Sequence, residues 1–447
     1  MADPNPNEKT PPAASGHSDP RLWPVATVMA TGIFATTFVQ LQGLGSLPFM
    51  HLLMKQMGMD SDTAATFFAL AMLPWTFKTI AGLLVDGVPL FGSRRRGYLL
   101  LSALAAAGLW LLMGLSPDTW RQMGLSPDNY YNALLALAIG MNLAIVFGST
   151  TSGGLLVEAG QRFGVSGRLS SLRVAAQNLG AALGLWLGGQ LAEKQLGWTS
   201  AAAIAPLLLM FLSAWFLLKE PPAPARIPHG RSVVKQLLHV TRSIGQQIKN
   251  VLRREMLLPA ALLFFIQVVP TFRSTCLYEY QTKTLNYSDA ALGTLGLAGY
   301  GVALLSSVVY AWWCRKVSLR VSLYCGILLV ALSALPYLFY AAYTPYMPRA
   351  LAIEGSGTFL QFLAYLPLFD LAVRSTPKGS EALGYSLLIS VWNIGLAIGS
   401  KTGPMLYQRV LHQDLNRLIW INAGVTLAGV IFVFLLPRAL VEKCEGE

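Results

Sequence analysis

The chain runs to 447 residues, of which 54% are apolar and only 12% charged. A soluble globular chain carries about 25% charged residues. The deficit here extends along the whole sequence, which excludes a soluble enzyme held by a single anchor. The net charge of +12 does not describe a nucleic-acid surface either, because Lys and Arg fall in short clusters between apolar runs, the pattern of membrane loops.

Residues 1–22 are polar and Pro-rich and lack the basic start and small-residue cleavage site of a secretory signal, so they read as a disordered cytoplasmic tail. A helix needs about 20 mainly apolar residues to cross a hydrocarbon core of about 30 Å. Twelve such runs follow: 23–50, 63–85, 97–116, 131–157, 169–192, 199–218, 256–281, 289–314, 319–343, 349–373, 382–405 and 416–437. They are called spans 1 to 12 below. Several are interrupted by Gly, Pro or polar residues, notably the fourth and the tenth, as expected where a helix faces protein or a watery cavity and not lipid. Spans 1 to 6 form an N-terminal half, 23–218, and spans 7 to 12 a C-terminal half, 256–437, followed by a cytoplasmic tail, 438–447.

The halves are joined by a basic cytoplasmic linker, 219–255, which opens with Lys219-Glu220-Pro221-Pro222. Within it Val233, Val234, Leu237, Leu238, Ile244, Ile248 and Val251 recur at helical spacing among Arg231, Lys235, Arg242 and Lys249. That pattern fits an amphipathic helix on the lipid surface or a solvated linker lying on the helix ends. With both termini cytoplasmic, Arg94, Arg95, Arg96, Arg162, Arg168, Arg315, Lys316, Arg320, Arg374 and Lys378 all fall inside. The outer loops keep only Lys55, Arg121, Lys194, Lys283, Arg349, Arg409 and Arg417, which satisfies the positive-inside rule. The expected fold class is therefore an all-α membrane protein of twelve transmembrane helices.

The loop between spans 2 and 3 carries Gly82, Asp86, Pro89-Leu90-Phe91-Gly92 and Arg94-Arg95-Arg96-Gly97-Tyr98. Glycine permits close helix approach and tight turns, and Asp86 can pair with an arginine at the membrane surface. The element resembles the signature loop of the major facilitator superfamily, which implies two six-helix halves rocking about a site near the midplane, with Asp86, Arg94, Arg95 and Arg96 as gating residues. The wording is more particular still. Pro74-Trp75, Phe77-Lys78, the stretch from Pro270 to Leu285-Asn286-Tyr287-Ser288, Lys316-Val317-Ser318-Leu319-Arg320, and Pro377-Lys378-Gly379-Ser380-Glu381-Ala382 with Tyr385-Ser386-Leu387-Leu388 are similar to the folate–biopterin transporter family. The resemblance covers most of 65–405 and implies secondary transport of folate or another pterin-type organic anion. The loop also resembles that of muropeptide permeases, so a muropeptide or other amphipathic anion stays open as the solute.

Ionisable groups inside spans are costly and mark function by default. Folates need positive charge for their carboxylates, amides for the pterin edge and aromatic faces. Lys78, Arg273 and Lys401 are the candidate anion contacts, and Gln40, Asn178, Gln267, Gln361 and Asn393 the candidate polar contacts; structural pairing or interhelical hydrogen bonds are the alternative for each. Trp110, Trp186, Trp312, Trp313 and Trp392 read as packing or interface aromatics before stacking platforms. Arg173 and Asp370, near the inner surface, read as gating or structural ion-pair residues. Glu279, Glu354 and Glu158 are candidate proton carriers for symport, since a desolvated carboxylate can hold a proton at neutral pH.

No G-x-x-x-x-G-K-[ST] loop occurs, which argues against ATP-driven transport. The histidines are scattered, Cys276, Cys314, Cys325 and Cys444 form no C-x-x-C pair, and no metal or cofactor is expected. A membrane-embedded enzyme or a binding-only receptor remains the reading from another class. The expected partners are a small organic anion, protons and lipid, with no nucleic acid, in a monomer of a bacterial inner membrane.

Overall fold

A computed structural model describes residues 21–59, 61–115, 117–122, 124, 127–220, 253–287, 289–342, 346–442 and 444. Most of the linker expected over 219–255, nearly all of the N-terminal tail, and residues 443 and 445–447 of the C-terminal tail lie outside the described residues. Among the described residues the regular structure is helical, apart from a single bridge between Leu90 and Ser93.

Span 1 is the helix Leu22–Phe38. Span 2 comprises Ser61–Ala71, a 3-10 turn at Leu73–Phe77, and Lys78–Gly87. Spans 3 to 6 are Arg96–Met113, Pro127–Phe163, Ser166–Leu191 and Leu196–Leu217. Span 7 is Arg254–Glu279 and span 8 Asp289–Trp313. Span 9 is Leu319–Ser333 continued by Leu335–Tyr337 and Leu338–Ala342. Spans 10 and 11 are Met347–Ser375 and Glu381–Met405, and span 12 is Leu415–Leu427 with Val430–Leu435.

Nine of the described stretches are long and apolar enough to cross a membrane. Leu22–Phe38 is apolar but has 17 residues. Spans 5 and 11, with 26 and 25 residues, are long enough but carry glycine rows and polar side chains such as Arg173, Asn178, Ser386 and Asn393. Both pack mainly on other helices, which removes the demand for an apolar surface.

The expected interruptions in spans 4 and 10 do not occur. Pro127–Phe163 and Met347–Ser375 are continuous helices of 37 and 29 residues. Their glycines are notches for neighbours: a Cβ at Gly153 would lie 2.8 Å from the Tyr385 ring, and one at Gly357 2.6 Å from that of Tyr337. The breaks come instead in spans 2 and 9, where Pro74 and Pro336 open 3-10 turns, and in span 12, at Ala428-Gly429.

Each half is held by the same device. In span 5, Gly180, Gly184 and Gly188 face the carbonyls of Phe34, Phe38 and Leu44, from span 1 and the turn after it. In span 11, Gly395, Gly399 and Gly403 face the carbonyls of Phe264, Val268 and Phe272 in span 7. A Cβ at any of the six would come within 3.0 Å of that oxygen, so backbone lies against backbone as small residues at four-residue spacing allow. Around these pairs span 3 packs on spans 4 and 6, and spans 8 and 9 on span 10. The halves meet where span 2 lies along span 11, span 5 along spans 8 and 10, and span 4 along spans 10 and 11.

G184A and G399A should each lower the thermal unfolding midpoint in detergent, because overpacking costs about 1–3 kcal/mol, although alanine favours a helix by about 1 kcal/mol over glycine. G108A is the control: a Cβ at Gly108 meets nothing within 4 Å, and its midpoint should not fall.

Candidate functional site

One end of the bundle carries Arg94–Arg96, Arg162, Arg374 and Lys378 and is called the basic face. Here the halves are tied together. Gly92, at φ 71°, turns the chain between spans 2 and 3. The Glu220 carboxylate then fixes the loop by accepting from Ser93 Oγ at 2.7 Å and from the backbone N–H groups of Arg94 and Arg95, each at 3.0 Å. The loop thereby aims Arg94 and Arg95 across the interface. Arg95, 0% exposed, meets Asp86 at 2.8 Å and Glu381 at 3.4 Å, and Arg94 meets Glu381 at 3.0 Å. Asp86 in turn accepts from the Leu383 backbone N–H at 2.7 Å. Burial acts against the Arg95 charge, but Asp86, Glu158 and Glu381 outweigh it and raise its pKa above the ordinary value. Arg96 turns away from the interface, stacking on Trp215 and donating to its carbonyl at 3.0 Å.

Two further contacts cross the same face. Gln161 donates to the carbonyls of Val373 and Thr376 at 2.8 and 2.6 Å. Arg374 donates to Ser166 Oγ at 3.1 Å while bound to both carboxylate oxygens of Asp370, at 3.0 and 3.1 Å.

Deeper in the interface the charges are arranged differently. Lys78 opens the second helical segment of span 2 and is 4% exposed. Its Nζ donates to Ser149 Oγ at 2.8 Å and lies 5.2 Å from the Trp75 ring, whose Nε1 donates to Asn142 at 3.0 Å. Asp86, on the same helix, is taken by Arg95. The charged group that acts on Lys78 among the described residues is another cation, Arg173. The Arg173 guanidinium lies 4.6 Å from the Phe369 ring and 5.7 Å from that of Tyr385. Phe369 continues into an aromatic cluster, with Trp392 at 5.3 Å from Phe369 and 4.7 Å from Tyr365. Thr79 and Ser390 hydrogen-bond across the halves at 3.0 Å. The arrangement offers positive charge beside aromatic surface, at a depth where the two halves meet.

The family model for the BT1 family matches residues 41–447. The chain belongs to that family. It is 27% identical to the folate-biopterin transporter of Synechocystis sp. over 93% of this chain and 83% of that one. It is 23% identical to folate transporter 1 of Plasmodium falciparum, over 91% and 79%. Among solved structures, the human organic anion transporter MFSD10 superposes with a TM-score of 0.68 at 14% identity, covering 93% of this chain and 100% of that one. The proton:xylose symporter XylE superposes with a TM-score of 0.66 at 16% identity, covering 96% and 98%. The fold is that of the major facilitator superfamily, with twelve transmembrane helices in two six-helix halves, and this BT1 member is a multi-pass membrane transporter, not an enzyme.

The remaining candidates of this transporter scatter. Glu354 accepts from Gln281, Tyr337 and Tyr340 at 2.7, 2.9 and 3.2 Å, all within the C-terminal half. The Glu158 side chain is 49% exposed and 3.8 Å from Arg95, so burial does not single it out as a proton carrier. Gln361 donates to the Tyr365 hydroxyl at 2.6 Å, which ties it to the aromatic cluster. Gln267 and Asn178 are buried, whereas Gln40 and Asn393 are half-buried. Trp110 is buried and donates to the Val39 carbonyl at 3.2 Å, and Trp186 and Trp312 are exposed. The side chains of Arg273, Glu279 and Lys401 lie outside the described residues. Tyr385, Phe369, Tyr365 and Glu220 were not marked by sequence as site residues; the one available signal was the quoted Tyr385-Ser386-Leu387-Leu388 stretch.

Removing one partner of a buried ion pair costs about 3–5 kcal/mol. R95Q and E381Q should therefore loosen the basic face. In a cysteine-free background, S386C, at a position buried in the interface, should react with a membrane-impermeant thiol reagent faster when either change is present.

Proposed function

We propose that this BT1 member carries folate or a related pterin-type organic anion by alternating access, as a proton-coupled symporter. Lys78 carries the reading: a buried side chain between the halves whose charged neighbour, among the described residues, is Arg173 and not an acid. Burying an ion costs several kcal/mol even after relaxation, and an entering anion offsets that cost. The aromatic cluster of Tyr365, Phe369 and Trp392 beside Arg173 suits a planar ring system. The names of the Synechocystis and Plasmodium relatives support the same solute class.

On the positive-inside reading the basic face is cytoplasmic and both termini lie there, with the protein a monomer in a bacterial inner membrane. The contacts across that face then close the inner side, and solute reaches Lys78 from the outside. Glu354 and Glu279 are the carboxylates kept for the proton: Glu354 is held by Gln281, Tyr337 and Tyr340 within the C-terminal half, and Glu279 is another acid that the sequence puts inside a span of that half.

Purified protein in liposomes should accumulate labelled folate or biopterin when the bath is acid relative to the lumen, with no ATP present. K78Q should abolish accumulation of folate while the protein remains folded by its thermal midpoint. The double variant E279Q/E354Q should keep folate exchange and lose uphill uptake. Liposomes that take up neither solute under any imposed pH gradient would refute the reading.

A further inference from the structure

Arg173 lies seven residues into span 5, just above the contacts that tie the basic face together. Two buried carboxylates of the basic face are occupied. Asp370 is bound by Arg374 and accepts from the Tyr310 hydroxyl at 3.3 Å, and Asp86 is bound by Arg95. Arg173 has instead the rings of Phe369 and Tyr385 against its guanidinium.

Two donors at this point are left over. Among the described residues Arg173 Nη1 and Tyr385 Oη are buried and have no hydrogen-bond partner. Leaving a buried polar group unsatisfied costs about 1–3 kcal/mol, and these two belong to side chains whose guanidinium and ring lie 5.7 Å apart, so one anionic acceptor between them would serve both. Lys78 belongs to the same place. Its partner Ser149 and the glycine that receives the Tyr385 ring, Gly153, lie one turn apart on span 4, so Lys78 and Tyr385 stand on one strip of that helix. Three donors from spans 2, 5 and 11 thus converge with no carboxylate among them: an ammonium, a guanidinium and a phenol.

We propose, resting on the anion-transport reading above, that Lys78, Arg173 and Tyr385 form the seat for the solute's carboxylate, with its ring system lying against Phe369 and Trp392. Arg173 is then a solute contact and not a gate. The site takes a carboxylate joined to a planar aromatic, oriented with the carboxylate toward the basic face. A carboxylate accepts from a guanidinium, an ammonium and a hydroxyl together, and charge-assisted hydrogen bonds of this kind are the strong ones.

The test compares equilibrium binding of folate, which has carboxylates, with that of biopterin, which has none, to the full-length protein in detergent. R173Q should weaken folate binding roughly ten- to hundredfold, the scale of one hydrogen bond to a charged group, and leave biopterin binding unchanged. R173K should recover part of the loss. Y385F, a milder change, should shift the folate-to-biopterin ratio in the same direction. Equal loss of both ligands in R173Q would make Arg173 structural, and an unchanged folate affinity with a slower transport rate would make it a gate; either result overturns the assignment. Wild-type protein that binds neither ligand would instead refute the transport reading on which it rests.

Discussion

Moving an ammonium or guanidinium out of water costs several kcal/mol per ion even after the surroundings relax, so every buried cation in a membrane protein needs an account. At the basic face acids of the same chain pair with the cations. Arg95 is matched by Asp86 and Glu381, and Arg374 by Asp370. One or two turns deeper, among the described residues, the buried Lys78 has Ser149 and the half-buried Arg173 has aromatic rings in place of an acid. That difference between two depths of one interface is the ground for the proposed anion seat.

The two kinds of contact also differ in how readily they part. Within each half the glycine rows of spans 5 and 11 bring backbone onto the backbone of spans 1 and 7, a close-packed surface with no alternative register of similar quality. Between the halves the basic face relies on side-chain hydrogen bonds and ion pairs at loop ends, such as Arg94 to Glu381 and Gln161 to the Val373 carbonyl. Such polar contacts exchange for water at modest net cost. Rigid halves with a wettable seam are what rocking about a central site requires.

Much of this was legible in the linear sequence, because the bilayer imposes length and apolarity on every span and the loops carry the sign of the charge. The Asp86 and Arg94–Arg96 loop could be singled out because its residues are close together in the chain. The breaks in the spans were harder to place: glycines in spans 4 and 10 looked like interruptions, whereas Gly153 and Gly357 are recesses for Tyr385 and Tyr337, and the distinction needs the neighbour. The same limit applies to Arg173. Its position near the connection of spans 4 and 5 suggested an ion pair, and nothing local announces that Phe369 and Tyr385 will lie on its guanidinium. Glu220 closes a turn far from it in sequence, so it read only as the first acid of a linker.

The assignment of a carboxylate seat has a consequence for how solute and motion are linked. Lys78 and Arg173 belong to the N-terminal half, whereas Phe369, Tyr385 and Trp392 belong to the C-terminal half. A ligand shifts a conformational equilibrium only by its differential affinity for the two states. A simple carboxylate seated on Lys78, Arg173 and Tyr385, or a bare ring resting on Phe369 and Trp392, makes only part of these contacts and shifts that equilibrium less. A molecule that joins the two spans the seam, so its full binding free energy is realised only at the separation that brings both sets of contacts to it. On this assignment a solute that carries both carboxylate and ring shifts the conformational equilibrium more than a ring alone, such as biopterin, because it gains more from the state that brings both sets of contacts together.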